Sequence, residues 1–159
     1  MRAMMPFPDE GRPPSGKSLA RAAQVDHLAA LPLFASCSKR ELRHLARSTH
    51  LRLLEPDDVL VLDGQPSREA YVIVAGHVVV RRSGRKMAEL GPGDIVGELG
   101  LLLERDHAAT VTATTPVEVL VLRQQALREA IDDVPGLGWK LLRTVATRMA
   151  ENTRGPTTG

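Results

Sequence analysis

Residues 93 to 113 read GDIVGELGLLLERDHAATVTA, and the reading of this stretch decides the fold. An apolar pair, Ile95-Val96, runs into Gly97, and a single carboxylate, Glu98, stands just after the break. Leu99 to Leu103 is too continuously apolar for an exposed loop and suits a short buried helix. A charged loop follows as far as His107. Two small residues, Ala108 and Ala109, then lead into the β-branched run Thr110-Val111-Thr112. The pattern predicts a strand over 94–96, a helix over 98–103 and a strand over 109–113.

Working outward, the same alternation of short apolar runs and turn residues continues in both directions. Strands are expected at 52–54, 59–62, 70–75, 77–82, 86–90 and 117–122. The dividers are Pro56-Asp57-Asp58, Asp63-Gly64, Ala75-Gly76, Ser83-Gly84, Gly91-Pro92-Gly93 and Thr115-Pro116. Eight short strands within about 70 residues, several joined by tight turns, predict an antiparallel roll rather than a parallel sheet. Helical patterns flank them. Ser38 and Glu41 have the spacing of a capping box, opening a helix to about Ser48 whose apolar face is Leu42, Leu45 and Ala46. Further helices are expected from Gln124 to about Asp132, and from Pro135, placed in a first turn, to about Glu151. Along the last helix Leu137, Leu141, Val145 and Met149 recur every four residues, with Leu142 and Ala146 beside them. The expected class is α+β, mainly β: an eight-stranded antiparallel β-roll of jelly-roll type with an N-terminal helical segment, one short inserted helix and two C-terminal helices. The domain is expected over 24–152, with flexible tails at 1–23 and 153–159, because Pro6, Pro8, Pro13, Pro14, Gly11 and Gly16 oppose packing.

Bulk composition agrees with one soluble domain. The chain has 159 residues, 43% hydrophobic and 25% charged, with only 3% aromatic, so the core rests on Leu, Val and Ala. No apolar run has the length of a membrane span and the N-terminus has no secretory signal core, so a cytoplasmic location is expected. A net charge of +2 is too small to argue for nucleic acid. The single cysteine, Cys37, reads as an inert thiol.

Gly93-Asp94-x-x-Gly97-Glu98-Leu99, the short apolar helix and the following x-Ala108-Ala109-Thr110-Val111 resemble the phosphate-binding cassette of cyclic nucleotide-binding domains. That family includes the bacterial catabolite activator protein and the regulatory subunits of cyclic-AMP-dependent protein kinase. The resemblance covers roughly residues 28 to 150. It extends to Leu31-Pro32-Leu33-Phe34 and to Ala70-Tyr71-Val72-Ile73-Val74-x-Gly76. It implies a regulatory sensor without catalytic residues, whose ligand is a cyclic nucleotide, cyclic AMP before cyclic GMP, and which needs no other cofactor. Gly97, Glu98, Leu99, Ala108 and Ala109 inherit the ligand contacts, with Thr110 adding a hydroxyl. Residue chemistry supports these roles. Main-chain N–H groups at a helix start suit a phosphate monoanion, and an ionised Glu98 can accept from a ribose hydroxyl. Val80 and Leu90 are candidates for the purine wall. Leu142, Val145 and Met149, with Leu141, are candidates for a lid over the base or for a dimer seam.

One position departs from the family, where an arginine that forks onto the phosphate precedes the small pair. Here it is His107, with single donors and a charge that depends on pH. Three outcomes are open: His107 holds the phosphate as imidazolium, Arg105 reaches in instead, or binding is lost. Retained but weakened binding is expected. Transcription factors of the family carry a DNA-binding motif beyond the last helix. The chain ends at Gly159, so no DNA contact is expected and output passes to a protein partner or a homodimer through that helix. The competing reading is a ligand-free interaction module with the same roll.

Two other patterns carry less. Gly11 to Ser18 fits G-x4-G-K-S, but no buried strand precedes it and no parallel sheet follows, so an NTPase is not expected. The five histidines have no metal-ligand spacing. Trp139 reads as a core or interface residue.

Overall fold

The structure, a computed structural model, describes residues 21–154. Chain order is α1 (Arg21–Ala29), a 3₁₀ turn (Pro32–Phe34), α2 (Lys39–Ala46), β1 (His50–Leu54), β2 (Val59–Val61), β3 (Glu69–Ala75), β4 (Val78–Arg82), β5 (Arg85–Leu90), β6 (Ile95–Val96), α3 (Glu98–Leu102), β7 (Thr110–Ala113), β8 (Val117–Arg123), α4 (Gln124–Asp133) and α5 (Leu137–Arg154). All eight expected strands form, within two residues of their expected ends. They make two four-stranded antiparallel sheets, β1-β8-β3-β6 and β2-β7-β4-β5.

The strands β3 and β8 explain why the fold has two cores. Successive side chains of a strand point to opposite faces. Tyr71 and Ile73 of β3, with Val117, Val119 and Val121 of β8, turn into the roll between the sheets. Ala70, Val72, Leu120 and Leu122 turn the other way, onto Leu28, Phe34, Leu42, Leu45, Leu127, Leu137 and Leu141 from the helices. Because both faces are covered, these strands read as nearly unbroken apolar runs, whereas the outer hairpin β4–β5 is largely exposed beyond Val80 and carries charge at its tip.

Helix α2 follows its cap. Ser38 Oγ accepts from the Glu41 N–H at 3.2 Å, and the Ser38 N–H donates to Glu41 Oε1 at 2.8 Å, completing the expected capping box. Glu41 also accepts from Lys140 Nζ at 2.8 Å, which ties the start of α2 to α5.

Several boundaries differ from expectation. Residues 21–23, expected in the tail, belong to α1, and α5 runs on to Arg154. The rest of the expected tails and the Gly11–Ser18 pattern lie outside the described residues. α2 stops at Ala46, before Ser48. Pro135 is not in a helical first turn: Gly136 has φ +82°, a left-handed conformation that cannot continue a helix, so Pro135-Gly136 is the turn between α4 and α5. The four-residue stripe of α5 also divides. Each step of four residues advances about 400° around a helix, so the row drifts about 40° per step. Leu137 and Leu141 are buried and Val145 is partly packed, but Met149 is 64% exposed. Trp139 and Leu142 are exposed as well, and Trp139 lies outside the core.

Gly76 sets the β3–β4 turn. It has φ +90°, and a Cβ there would lie 2.1 Å from the Pro116 carbonyl oxygen. Gly76→Ala should therefore cost at least about 2 kcal/mol in urea unfolding, from left-handed strain plus overlap with main chain that cannot move aside. A midpoint equal to the parent's would mean the turn has another way to close.

Candidate ligand-binding site

The quoted stretch is fastened to β3. The Gly93 N–H donates to the Ile73 carbonyl, and the Ile73 N–H donates to the Asp94 carbonyl, each at 2.9 Å. Asp94 Oδ2 accepts from the Gly91 N–H at 2.9 Å, so this carboxylate locks the turn. Gly97 has φ +82°, and a Cβ on it would lie 2.9 Å from the Glu69 carbonyl oxygen. The glycine is thus required by its conformation and by close approach to β3, a reason additional to the ligand approach expected from sequence. The same Cβ would sit 3.8 Å from His107 Cε1, so the two halves of the predicted site, 97–99 and 107–110, are adjacent.

Glu98 is the first residue of α3. Its side chain is only 19% exposed, and both oxygens are engaged by one guanidinium: Arg148 Nη1 donates to Oε2 at 3.1 Å and Nη2 to Oε1 at 3.3 Å. Arg148 lies on α5, and sequence reasoning missed it. It stands one residue before Met149 on the helix already singled out, but nothing local marks its partner 50 positions away. Of Leu99 only the main chain, in α3, is described.

The second half of the site is built on hydrogen bonds between two loops. The His107 N–H donates to the Gln65 carbonyl at 2.9 Å, the Gly64 N–H to the His107 carbonyl at 2.9 Å, and the Ser67 N–H to the Arg105 carbonyl at 3.2 Å. Thr110 Oγ1 accepts from the Asp63 N–H at 3.1 Å, so this hydroxyl already serves the β2–β3 turn. The Ala108 carbonyl accepts from Arg82 Nε at 3.1 Å. Val80 and Leu90, the purine-wall candidates, lie on neighbouring strands and pack partly into the roll interior. Leu142, Val145 and Met149 do not share one face: Val145 packs on the helical core while the other two are exposed.

Arg105 and His107 also line a cavity of about 890 Å³ that the other predicted residues do not reach. Its polar wall is a network that the sequence did not reveal. Tyr71 Oη donates to Glu69 Oε1 at 2.7 Å, Arg123 Nε donates to Glu69 Oε2 at 3.2 Å, and Arg52 Nη1 lies 3.5 Å from Glu69 Oε1. Burial alone would push the Glu69 carboxyl up, but the Tyr71 hydrogen bond and the Arg52 and Arg123 charges together hold it below its usual value. Burial, then the Glu69 charge, pushes the Tyr71 phenol well above its usual value. Among the described residues no three or more His, Cys, Asp or Glu side chains gather as metal ligands, and no helix is long and apolar enough to cross a membrane.

Burial lowers the His107 pKa, and the charge of Asp106 offsets this only in part. The folded protein therefore prefers a neutral imidazole. Stability from this group is present above the ordinary imidazole value near pH 6.5 and is lost as pH falls toward the lower folded value. Unfolding midpoints measured at pH 7.5 and 5.5 should fall less for His107→Gln than for the parent protein. Equal losses would show that the ring titrates as it does in water.

Residues 51–133 match the family model described as the cyclic nucleotide-binding domain. The N-terminal domain of a transcriptional regulator from Streptomyces coelicolor superposes with a TM-score of 0.76 at 32% identity, covering 82% of this chain and 96% of that one. The cAMP-dependent protein kinase regulatory subunit of Hypocrea atroviridis is 27% identical over 117 residues, 74% of this chain and 25% of the relative. The acetyltransferase Pat of Mycolicibacterium smegmatis is 32% identical over 127 residues, 77% of this chain and 38% of the relative. The chain thus spans well under half the length of these two curated relatives. The matched region contains Gly97, Glu98 and the loop that carries His107, and the chain belongs to the cyclic nucleotide-binding domain family.

Proposed function

We propose that the domain binds a cyclic nucleotide between residues 97–99 and 107–110, cyclic AMP in preference to cyclic GMP, and that binding repositions α5. The preference for cyclic AMP is supported by the Hypocrea relative, which is a cAMP-dependent regulatory subunit. The observation that carries the reading is the Glu98–Arg148 pair, which joins the start of α3 to the last helix. A ribose hydroxyl donating to Glu98 competes with Arg148 for the same oxygens. The arginine side chain is 40% exposed, so the pair is worth only about 0.2–1 kcal/mol. A ligand hydrogen bond to a charged acceptor is worth about 1.5–3 kcal/mol. The ligand prevails, and α5 loses its contact with the cassette. The domain senses and the response is passed on; no catalytic step is assigned to it.

Calorimetric titration with both nucleotides tests the reading. Glu98→Gln should weaken cyclic AMP binding about 10- to 100-fold, the equivalent of one charge-assisted hydrogen bond. Arg148→Gln should tighten it, by up to about fivefold, because the competitor is gone. Absence of binding by either nucleotide would overturn the proposal in favour of the ligand-free interaction module.

The signal is passed to a second copy of the chain. Trp139, Leu142, Ala146 and Met149 of α5 are all exposed, and their spacings of three, four and three residues are those of a coiled-coil seam. Such a seam is self-complementary about a two-fold axis. Leu142→Glu should convert a dimer to a monomer in sedimentation equilibrium without lowering the unfolding midpoint; a parent protein that is monomeric at high concentration would rule the seam out.

A further inference from the structure

A cyclic phosphodiester carries one negative charge, and the groups nearest the proposed site do not balance it. Glu98 adds a second negative charge, and its partner Arg148 is drawn off when the ribose hydroxyl takes its place. Burial disfavours a positive charge on the His107 ring. Arg105 faces the cavity that contains Glu69 and Tyr71.

One further guanidinium touches this segment, and it comes from a different strand. Arg82 is the last residue of β4, two positions beyond Val80, so both side chains leave the same face of the strand. Val80 packs toward the roll interior. Arg82 turns onto the 107–110 segment and donates from Nε to the Ala108 carbonyl at 3.1 Å. The strand end is held firmly. Ser83 and Gly84 have φ +53° and +78°, the paired left-handed residues of a tight two-residue hairpin turn, and Arg82 lies opposite Arg85 across it. The Nε bond uses one of the five guanidinium donors and fixes the plane, leaving four on Nη1 and Nη2. Arg82 forms no ion pair with a described carboxylate. At the same hairpin, Lys86 is engaged by Glu89 at 2.6 Å.

We infer that Arg82 supplies the positive charge that holds the ligand phosphate, presenting Nη1 and Nη2 as a fork while Nε stays on Ala108. The inference rests on the cyclic-nucleotide reading above and adds to it a binding residue from outside the cassette. A guanidinium suits this task because its planar fork matches two phosphate oxygens, whereas an ammonium acts as a point charge.

The experiment is calorimetric titration of cyclic AMP into the parent protein, Arg82→Ala, Arg82→Lys and the neighbouring control Arg81→Ala. Each is measured at 50 and 300 mM NaCl, and the parent also at pH 6 and pH 8. Arg82→Ala should weaken binding 10- to 100-fold and flatten its salt dependence. Arg82→Lys should fall between, and Arg81→Ala should stay within about threefold of the parent. Parent affinity should be the same at both pH values, since arginine does not titrate there. Thermal melts without ligand establish that each variant is folded. Failure of the parent protein to bind cyclic AMP would remove the functional reading itself. Binding by the parent with Arg82→Ala unchanged would overturn only the Arg82 assignment. Affinity that rises at pH 6 would overturn it too and give the charge to His107.

Discussion

The double burial of β3 is the constraint on which the rest of the molecule depends. Its odd-numbered residues Tyr71 and Ile73 fill the roll, and its even-numbered residues Ala70 and Val72 carry the helices. A register slip of one residue would exchange the two sets, so the strand is fixed in position. Everything that forms the site is then measured from it. Ile73 sets the Gly93-Asp94 turn through two main-chain hydrogen bonds, and the Glu69 carbonyl leaves room only for a glycine at 97. The start of α3 is therefore placed by backbone contacts, which side-chain motion cannot loosen.

Electrostatics divides the region into a fixed part and an exchangeable one. Glu69 accepts from Tyr71 and Arg123 and lies beside Arg52, whose side chain is only 9% exposed. Removing the buried Arg52 leaves this largely buried carboxylate paired with the exposed Arg123, which costs stability. That network belongs to the fold. Among the described residues Glu98 has a single cation partner, on a half-exposed side chain at the far end of a long helix. A contact of that kind is cheap to break and suits exchange with a ligand. The two carboxylates are of the same chemical type, and their surroundings give them different work.

Most of the architecture was legible because its punctuation is local. Asp63-Gly64, Gly76, Ser83-Gly84 and Gly91-Pro92-Gly93 mark turns whatever lies between them, and Ser38 with Glu41 carries its own cap. The family was legible in the same way, since Gly97, Glu98 and the Ala108-Ala109 pair that carry the resemblance fall within 13 residues. What could not be read were contacts between distant segments. Arg148 reaches Glu98 across 50 positions, Arg82 reaches Ala108 across 26, and Arg123 reaches Glu69 across 54. Arginines of this kind look like ordinary surface charge until the strands are paired. The α5 stripe misled for a geometrical reason, because an i+4 row crosses from one helix face to another over three steps. Pro135 misled because the residue after it, Gly136, controls where the helix begins.

That α5 carries two faces has a mechanical consequence. Leu137 and Leu141 are almost fully buried against the helical core, and Lys140 pairs with Glu41 on the same turns, so the first half of the helix is anchored. The second half is held more lightly, by Val145 and by Arg148 on Glu98. If the ligand draws Glu98 away from Arg148, as proposed above, the C-terminal turns lose a tether on which the N-terminal turns do not depend. The seam residues straddle this division: Trp139 and Leu142 lie on the anchored half, and Met149 lies beyond it. A partner helix docked along the seam would feel the change as altered packing at Met149, with its Trp139 contacts preserved. On the proposed reading, the response to ligand would be a change in the angle between two paired helices, with the dimer itself retained. Exchange of a small, partly exposed ion pair is sufficient to bias such an angle, because the pair is worth only about 0.2–1 kcal/mol and the ligand hydrogen bond that replaces it about 1.5–3 kcal/mol.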